Sequence, residues 1–338
     1  MGRAPWSDVA EAVAVLRRGG LVAFPTETVY GLGADAANPA AVERIFAVKG
    51  RPRNHPVIVH LGEAPAIKVW AADVPPDAWT LAEAFWPGPL TLILPKAASV
   101  PEAVTGGAGT VGLRVPDQPL ALELLRAFDG GIAAPSANRF GRVSPTTAAH
   151  VRADLGFDVD LVLDGGPCAI GVESTIVDLS RGVPRVLRLG GLAIEALTGA
   201  LGHPVDVAPV AAALAAERAG DGPAAPVETP APGTLPSHYA PEARVEVVAA
   251  ESVAARAARL LHEGLKVGLL APGRISGLPP GVDALPPAGG APAYAQCLYQ
   301  RLREADRRGL DVLLAVPPPE RGIGAAVADR LRRAAATR

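Results

Sequence analysis

The amino-acid sequence predicts an α/β protein with two domains. The larger is built on a twisted mixed sheet with a cleft, and a smaller Rossmann-like α/β domain follows it. Three observations lead to this prediction. The 338 residues are enough for two hydrophobic cores. Strand-like apolar runs alternate with helical periodicity on both sides of residue 205. Residues 219–233 are rich in proline and glycine, as linkers are. We therefore assign 1–205 to the first domain, 206–242 to a linker and 243–338 to the second domain.

Strand and helix patterns alternate through the first domain. Short apolar runs bounded by turn residues predict the strands, and apolar residues spaced by three and four predict the helices. Because some connections between strands contain no helix pattern, we expect parallel and antiparallel pairing in one sheet. The predicted strands are 21–24, 57–61, 90–94, 111–115, 131–134, 160–163, 174–178 and 184–188, and the predicted helices are 8–18, 39–48, 77–85, 118–128 and 145–154.

The second domain shows the same alternation on a smaller scale. Its order of strand, helix, strand, helix, strand, helix is typical of a nucleotide-fold unit. The predicted elements are strand 244–248, helix 252–263, strand 266–271, helix 293–308, strand 311–316 and helix 323–335.

The end of the linker differs in kind from its beginning. Residues 232–241 contain three prolines and a glycine, which restrict the path of the chain, and His238 and Tyr239 carry polar tips on bulky bodies. Such residues are expensive to order, so we expect them to dock onto something. One interpretation is a lid that folds over the cleft of the first domain, and the other is simple packing against the second domain.

Composition narrows the class of protein. Apolar residues make up 49% of the chain, charged residues 20% and aromatic residues 4%, with a formal net charge of −2. This balance argues against dominant electrostatic binding to nucleic acid or anionic membranes, and the few aromatic residues argue against a base-stacking platform. Cys168 and Cys297 lie far apart, which favours free thiols in a reducing cytoplasm. We recognise no apolar run of membrane-spanning length and no signal segment, so we expect a cytoplasmic protein.

The first strand leads into a polar loop and then a cationic turn. Residues 25–30 carry Thr-Glu-Thr and Tyr just beyond the carboxyl end of the strand, where open α/β sheets place ligands. Asn38 and a following proline predict a helix start, and that helix delivers Lys49, Arg51 and Arg53 on a turn fixed by glycine and proline. Three cations on such a turn indicate a polyanion such as a nucleotide phosphate. The alternative is a solvated basic turn.

Further polar residues follow the ends of other predicted strands. Arg114 lies in a predicted strand that ends at a proline. An arginine in such a strand is either exposed at the edge of the sheet or binds a carboxylate or phosphate with its guanidinium. Ser144 before a proline reads as a helix cap. Each residue has an ordinary structural explanation, but their convergence on one sheet predicts a single large cleft. The set comprises His60, Arg114, Ser136, Asn138, Ser144, Ser174 and Arg188.

Several common motifs do not apply. Residues 107–112 match the Gly-x-Gly-x-x-Gly motif of dinucleotide-binding proteins. They follow a loop and lead into a strand, whereas that motif joins a strand to a helix. The sequence contains no Walker-type phosphate loop, no nucleophile elbow and no His-Glu-x-x-His pair.

Taken together, the motifs resemble those of the YrdC-like family. With the carboxyl-terminal α/β domain and the linker block 232–241, the chain resembles the two-domain form of that family, the L-threonylcarbamoyladenylate synthases. The resemblance spans essentially the whole chain with the blocks in family order, and His55 is the one departure, standing where an asparagine is familiar. The matching blocks are Pro25-Thr-Glu-Thr-Val-Tyr-Gly-Leu, Lys49-Gly-Arg-Pro, Val59-His60, Leu113-Arg114-Val-Pro, Pro135-Ser-Ala-Asn138 and Glu173-Ser-Thr-Ile.

The resemblance implies an activity and its site residues. L-Threonine, bicarbonate or CO2, and ATP give threonylcarbamoyl-AMP and pyrophosphate. By position, the catalytic set is Lys49, Arg51, Ser136 and Asn138. The L-threonine pocket comprises Thr28, His60, Arg114, Ala134 and Ser174. The residues along ATP are Arg51, His55, Thr110, Ser136, Ser144, Arg188, His238 and Tyr239.

The resemblance also implies partners and leaves rivals open. Mg2+ is implied by the triphosphate, with no protein ligand assigned. A downstream transferase complex would place the threonylcarbamoyl group on adenosine 37 of tRNA, so tRNA is an indirect partner, and the sequence is compatible with a monomer. The rival functions are a double-stranded RNA-binding protein and a regulatory nucleotide-binding protein of the same fold. A related carbamoyl-transfer protein of hydrogenase maturation is excluded because it needs cysteine-rich zinc regions, which two cysteines cannot form.

Overall fold

The computed structural model describes residues 5–207 and 239–336 of the chain. Most of the predicted linker, including the predicted lid residue His238, lies outside these ranges. Tyr239, which follows it, lies within them and is buried.

The first domain is built on a nine-stranded mixed sheet with the strand order β7-β1-β2-β6-β3-β5-β4-β8-β9. The sheet contains parallel pairs, such as β3 with β5, and antiparallel pairs, such as β4 with β5. The mixed pairing predicted from the sequence is therefore confirmed. The strands are β1 (Val22–Phe24), β2 (Gly31–Asp35), β3 (Ile58–His60), β4 (Leu90–Pro95), β5 (Thr110–Arg114), β6 (Ile132–Ala133), β7 (Leu161–Val162), β8 (Thr175–Asp178) and β9 (Arg185–Arg188).

Eight α-helices in the described part of this domain cover the sheet. Helices α1 and α6 share one apolar cluster against β1 and β6, and α2 packs on the other large core. The helices are α1 (Pro5–Arg17), α2 (Pro39–Lys49), α3 (Ile67–Trp70), α4 (Pro76–Phe85), α5 (Glu102–Thr105), α6 (Pro119–Phe128), α7 (Ala148–Leu155) and α8 (Ile194–Leu201).

The second domain has a four-stranded parallel sheet with the order β10-β13-β11-β12, as expected for a Rossmann-like unit. Its strands are β10 (Arg244–Val247), β11 (Val267–Leu270), β12 (Asp283–Ala284) and β13 (Val312–Ala315). Its helices are α9 (Val253–His262), α10 (Ala291–Arg307) and α11 (Ile323–Ala335). Among the described residues, no helix is both long and apolar enough to cross a bilayer.

The two domains share buried surface. Apolar side chains of the first domain, such as Val172 and Leu189, belong to the same buried cluster as Tyr294, Leu298 and Leu331 of the second domain. The second domain is therefore packed on the first rather than merely tethered to it.

Several local predictions differ from the structure: helices α3, α5 and α8 and strand β12 were not predicted. Two further differences concern strand β2 and the start of helix α7. Strand β2 was not expected, because Gly31-Leu-Gly-Ala-Asp35 lacks β-branched residues; it forms because β1 and β6 pair with it on either side. The prediction of Ser144 as a helix cap is wrong. Helix α7 begins at Ala148, and the side chain of Thr147 accepts the capping hydrogen bond from the backbone of His150.

Candidate active site

One cleft in the first domain gathers polar side chains from the ends of several strands. Strand pairing explains why, since β3 and β5 run in parallel with His60 beside Arg114, and the backbone N–H of Ala134 donates to Ile58. The cleft is lined by Thr26, Thr28, Val29, Gly31, Lys49, Arg51, Ile58, His60, Arg114, Ala134, Pro135, Ser136, Asn138, Phe140, Gly141, Glu173, Ser174, Arg188 and Tyr239.

The loop after β1 places the Thr28 hydroxyl in the cleft, and its hydrogen bonds determine whether it can donate to a ligand or accept from one. Thr26 donates its hydroxyl hydrogen to the carbonyl of Val29 at 2.6 Å. The two hydroxyls of Thr26 and Thr28 are 2.8 Å apart, and because the single hydroxyl hydrogen of Thr26 is already used, Thr28 is the donor of this hydrogen bond. Thr28 in turn accepts from Nη2 of Arg114 at 2.9 Å. The Thr28 hydroxyl thus retains accepting capacity only, which suits an amine or hydroxyl donor on a ligand.

Arg114 is a buried cation at the carboxyl end of β5. Its Nη2 donates to Oε1 of Glu27 at 2.6 Å, and both side chains are buried. Its Nε donates to the carbonyl of Gly88 at 3.3 Å. Within the described residues, Nη1 has no hydrogen-bond partner, so one arm of the guanidinium remains for a ligand. The edge-exposed alternative is wrong, because β5 lies between β3 and β4 in the interior of the sheet.

Ser174 and Arg188 also line the cleft. The Ser174 hydroxyl lies 2.8 Å from that of Thr91 and accepts from Nη2 of Arg188 at 3.1 Å. Nε and Nη2 of Arg188 also donate to the Ser174 carbonyl, at 3.1 and 2.8 Å. Strands β8 and β9 pair next to each other, which brings these two residues together.

Lys49 is the last residue of α2 and holds a loop of the cleft. Its ammonium donates to the carbonyls of Ser136 and Asn138 at 2.6 and 2.5 Å. The Asn138 amide donates to the carbonyls of Arg139 and Arg142, at 3.0 and 2.7 Å. Burial and the nearby Arg51 lower the pKa of Lys49 well below its usual value. Lys49 and Asn138 therefore shape the backbone around Ser136.

Arg51 is buried with only part of its guanidinium satisfied. Its Nη2 donates to the carbonyl of Pro56 at 2.9 Å, whereas its Nε is buried with no hydrogen-bond partner. Burial lowers the pKa of Arg51 to about 10, so the residue remains cationic at pH 7. Arg53 departs from the predicted cluster: it is exposed and lies 3.5 Å from Glu43 on the surface.

His60 is a neutral, buried imidazole in the cleft wall. Burial and the adjacent Arg114 lower the pKa of His60 to about 3. Its ring meets Phe24 edge-on with centroids 5.8 Å apart, and its Nδ1 is buried without a hydrogen-bond partner. His60 therefore offers the cleft a ring without charge.

The second domain completes the wall next to Ser174. Ser144 of the first domain and Tyr299 of α10 both donate to the Glu173 carboxylate, Ser144 at 2.7 Å and Tyr299 at 2.9 and 2.8 Å to its two oxygens. Nε of Arg330, on α11, donates to it at 2.8 Å. Although burial opposes ionisation, Arg330 and Arg188 lower the pKa of Glu173 to about 2. Tyr239 stacks on Tyr299 with ring centroids 5.6 Å apart.

Most of the predicted site residues meet in this cleft. Thr110 does not line it, because it begins β5, at the end of that strand opposite to Arg114. His55 does not line it either; its ring packs edge-on against Phe140 at 5.6 Å. Ser144 reaches the cleft only through Glu173, and His238 lies outside the described residues. The residues that do line it are Thr28, Lys49, Arg51, His60, Arg114, Ala134, Ser136, Asn138, Ser174, Arg188 and Tyr239.

Two residues that donate hydrogen bonds to the cleft-lining Glu173 were not predicted from the sequence. Tyr299 and Arg330 lie on amphipathic helices of the second domain, where no local motif singles them out. The available signal was spacing, since Arg330 stands three residues after Val327 and four before Ala334, on the apolar face of its helix.

The described residues do not form a protein metal site. None of their His, Cys, Asp and Glu side chains gather in a group of three or more. The carboxylate of Glu173, which lines the cleft, is already bonded to Ser144, Tyr299 and Arg330.

The cleft combines a cationic end around Arg51 with a polar pocket around Thr28, Arg114 and Ser174. No serine or cysteine nucleophile is paired with a histidine in the described cleft, so the arrangement favours binding and aligning two charged molecules. Such a fold and cleft define a Sua5/YciO/YrdC-type α/β protein. The family model of that type, described as telomere recombination, matches residues 14–190.

A second family model, described as the C-terminal domain of threonylcarbamoyl-AMP synthase, matches residues 194–336. The chain is 41% identical to the threonylcarbamoyl-AMP synthase of Pyrococcus abyssi, over 97% of this chain and 94% of that protein. It is 39% identical to the Bacillus subtilis enzyme of the same name, over 98% and 94% of the two chains. The crystal structure of P. abyssi Sua5 complexed with L-threonine superposes with a TM-score of 0.88 at 40% identity, covering 99% of this chain and 96% of that one. The chain belongs to the threonylcarbamoyl-AMP synthase family, which confirms the family and the fold expected from its motifs.

Proposed function

We propose that this chain joins L-threonine, bicarbonate or CO2, and ATP into threonylcarbamoyl-AMP, with release of pyrophosphate. The observation that carries the proposal is the cleft itself, in which the buried, incompletely bonded cation Arg51 faces the same space as the open arm of Arg114. One end suits a phosphate chain, and the other suits an amino acid. The P. abyssi relative crystallised with L-threonine supports the amino-acid end.

At the amino-acid end, Nη1 of Arg114 would bind the threonine carboxylate. Glu27 and Thr28 fix the other arm of the guanidinium, so its orientation is set before the ligand arrives. Thr28 would accept from the amine or the hydroxyl of threonine, because it has accepting capacity only. The neutral ring of His60 and the methyl group of Ala134 would pack against the rest of the amino acid.

At the phosphate end, Arg51 and Arg188 would bind the triphosphate, and Lys49 would hold the Ser136 loop beside it. The threonine amine adds to CO2 and loses a proton, giving a carbamate. A carbamate oxygen then attacks the α-phosphorus, a new P–O bond forms, and the bond to the β-phosphate breaks as pyrophosphate leaves. The fixed cations stabilise the charge that spreads over the phosphate oxygens, and the reaction requires no covalent enzyme intermediate.

Mg2+ would enter this reaction with the triphosphate. The described residues offer it no cluster of ligands, and Mg2+ normally keeps several waters while it binds phosphate oxygens. The product would pass to a transferase complex that modifies adenosine 37 of tRNA. We expect the reaction to occur in the cytoplasm and the chain to act as a monomer.

The test is pyrophosphate release with each substrate omitted in turn. We expect release to require ATP, bicarbonate and L-threonine together, and we expect mass spectrometry to detect threonylcarbamoyl-AMP. Release without threonine would indicate plain ATP hydrolysis, and ATP binding without any release would favour a regulatory nucleotide-binding protein. Salt-sensitive binding to double-stranded RNA in place of turnover would favour the RNA-binding alternative.

A further inference from the structure

Arg330 is a completely buried arginine at the boundary between the two domains. Its Nε donates to Oε2 of Glu173 at 2.8 Å, its Nη2 donates to the carbonyl of Leu189 at 2.8 Å, and its Nη1 binds the carboxylate of Asp329. The three nitrogens of one planar group thus reach three different acceptors. A buried cation is costly unless it is bonded in this way, so the position of the guanidinium is strongly determined.

Two of the groups that Arg330 contacts belong to the cleft wall. Glu173 lines the cleft, and so does Tyr239, whose ring centroid lies 4.9 Å from the guanidinium carbon. Tyr299 stacks on Tyr239 and donates to Glu173, which closes the set. We call Glu173, Tyr239, Tyr299 and Arg330 the interdomain cluster.

The interdomain cluster adjoins the cationic end of the cleft. Tyr239, Glu173 and Arg51 line the same cleft, and Arg188 acts electrostatically on the Arg51 guanidinium. Arg188 and Arg330 both act on the Glu173 carboxylate. A shift of Tyr239 or Glu173 would therefore change the cleft wall that also contains Arg51, where the phosphate chain is expected to bind.

We propose that Arg330 is a positioning residue of the active site, which places Tyr239 and Glu173 in the cleft wall and thereby makes the nucleotide end depend on docking of the second domain. The inference rests on the proposed function. Lysine cannot replace arginine here, because a single ammonium cannot reach three acceptors in one plane while lying against a tyrosine ring.

The rival explanation is that Arg330 only fastens the two domains together. Arg303 supplies the matched control, because it also joins the domains but, among the described residues, hydrogen-bonds to none that lines the cleft. Its Nη1 and Nη2 donate to the two carboxylate oxygens of Asp154, at 2.7 and 2.5 Å, and Nη2 also donates to the carbonyl of Val143 at 2.6 Å. A merely fastening arginine should behave like Arg303.

The experiment compares Arg330→Met, Arg330→Lys and Arg303→Met in the full chain. We expect the KM and the Kd for ATP to rise by about tenfold or more in both Arg330 variants. The Kd for L-threonine should remain within about twofold of the parent value, and Arg303→Met should leave ATP affinity nearly unchanged. If Arg330→Met does not fold, Arg330→Lys carries the test.

A double-mutant cycle with Tyr239→Leu separates positioning from fastening. If Arg330 acts through Tyr239, the second substitution should add little to the loss of ATP affinity already caused by the first. Additive effects, or equal losses in the Arg330 and Arg303 variants, would overturn the proposal. Because ATP affinity is measured directly, this outcome is distinct from a failure of the proposed function, which would appear as no pyrophosphate release in the parent chain.

Discussion

The Arg51 side chain costs the fold stability but is suited to binding an anion. It is buried, its Nε is unbonded and burial lowers its pKa to about 10, so the fold gains little from its charge. A residue held at such a cost makes sense if a ligand anion supplies the missing partner. Active sites often retain interactions of this kind at the expense of stability.

We predict that Arg51→Met lowers kcat/KM for ATP and stabilises the fold. Loss of a charge-assisted phosphate contact, worth about 1.5–3 kcal/mol, corresponds to a decrease of roughly 10- to 150-fold. Removal of the unbonded donor should raise the free energy of unfolding by about 1 kcal/mol. Kinetics and urea unfolding measure the two effects. The exposed Arg53→Met is the control and should change neither, and near-normal turnover in Arg51→Met would contradict the assignment.

His60 makes stability depend on pH. Its pKa is about 3 in the folded chain, whereas a histidine in an unfolded chain titrates near 6.5. Below pH 6.5 the unfolded chain therefore takes up a proton that folded His60 does not, so the free energy of unfolding falls as the pH decreases from 6.5 towards 3.

We predict that His60 alone lowers the free energy of unfolding by about 2 kcal/mol between pH 7 and pH 5. Urea unfolding at the two pH values measures the change, and His60→Gln should show a correspondingly smaller decrease. His150, whose pKa is lowered to about 4 mainly by burial, should contribute in the same direction, so His150→Gln is a second point of comparison outside the cleft. An unchanged pH dependence in His60→Gln would refute the prediction.

At the scale of single residues, the sequence predicted which residues line the cleft better than it predicted their hydrogen-bond partners. Strand ends and the family motifs identified Thr28, Arg114 and Ser174 because these residues follow recognisable local patterns. The pairing of Arg114 with Glu27, and of Glu173 with Arg330, joins positions 87 and 157 residues apart in the chain. Such contacts follow from tertiary packing and leave no local trace, so neither was predicted.

At the scale of elements, helix α2 connects the folding of a short segment to the site. Asn38 accepts from the backbone N–H of Ala41 at its start, and Gly50 ends it in the left-handed conformation with φ 64°. Lys49 is its last residue, and Arg51 follows the glycine. These caps were predictable, because capping residues act within one turn of the chain, whereas strand β2 depends on its neighbours in the sheet.

We predict that replacing the two capping residues of α2 affects the KM for ATP differently. Asn38→Ala should cost about 1 kcal/mol of stability and leave the KM for ATP unchanged. Gly50→Ala should cost about 1–2 kcal/mol, since a side chain disfavours the left-handed conformation although a Cβ there meets nothing within 4 Å. Because Gly50 sets the path between Lys49 and Arg51, its variant should also raise the KM for ATP. Equal KM values in the two variants would show that the turn does not position the cations.

At the scale of the whole molecule, the linker pattern and the packing point in different directions. A chain segment rich in proline and glycine suggested two bodies joined by a tether, but the second domain contributes to the buried core and to the cleft wall. The surroundings of Gly171 show how closely the two domains are packed. Its φ is 83°, and a Cβ built on it would lie 2.5 Å from both the carbonyl oxygen of Ala295 and the Cα of Gln296, on helix α10.

We predict that the parent chain unfolds in one calorimetric transition and that Gly171→Ala disrupts this cooperativity. The new methyl group meets backbone rather than a flexible side chain, so helix α10 must move away and take Tyr299 with it. The midpoint of unfolding should fall or split in two, and ATP affinity should fall with it. Gly182→Ala is the matched control, because its φ of 82° brings the same backbone strain while its Cβ meets nothing within 4 Å. Since the strain cancels between the two variants, any difference reports on the contact alone, and two transitions in the parent chain would mean that the domains fold independently despite their shared core.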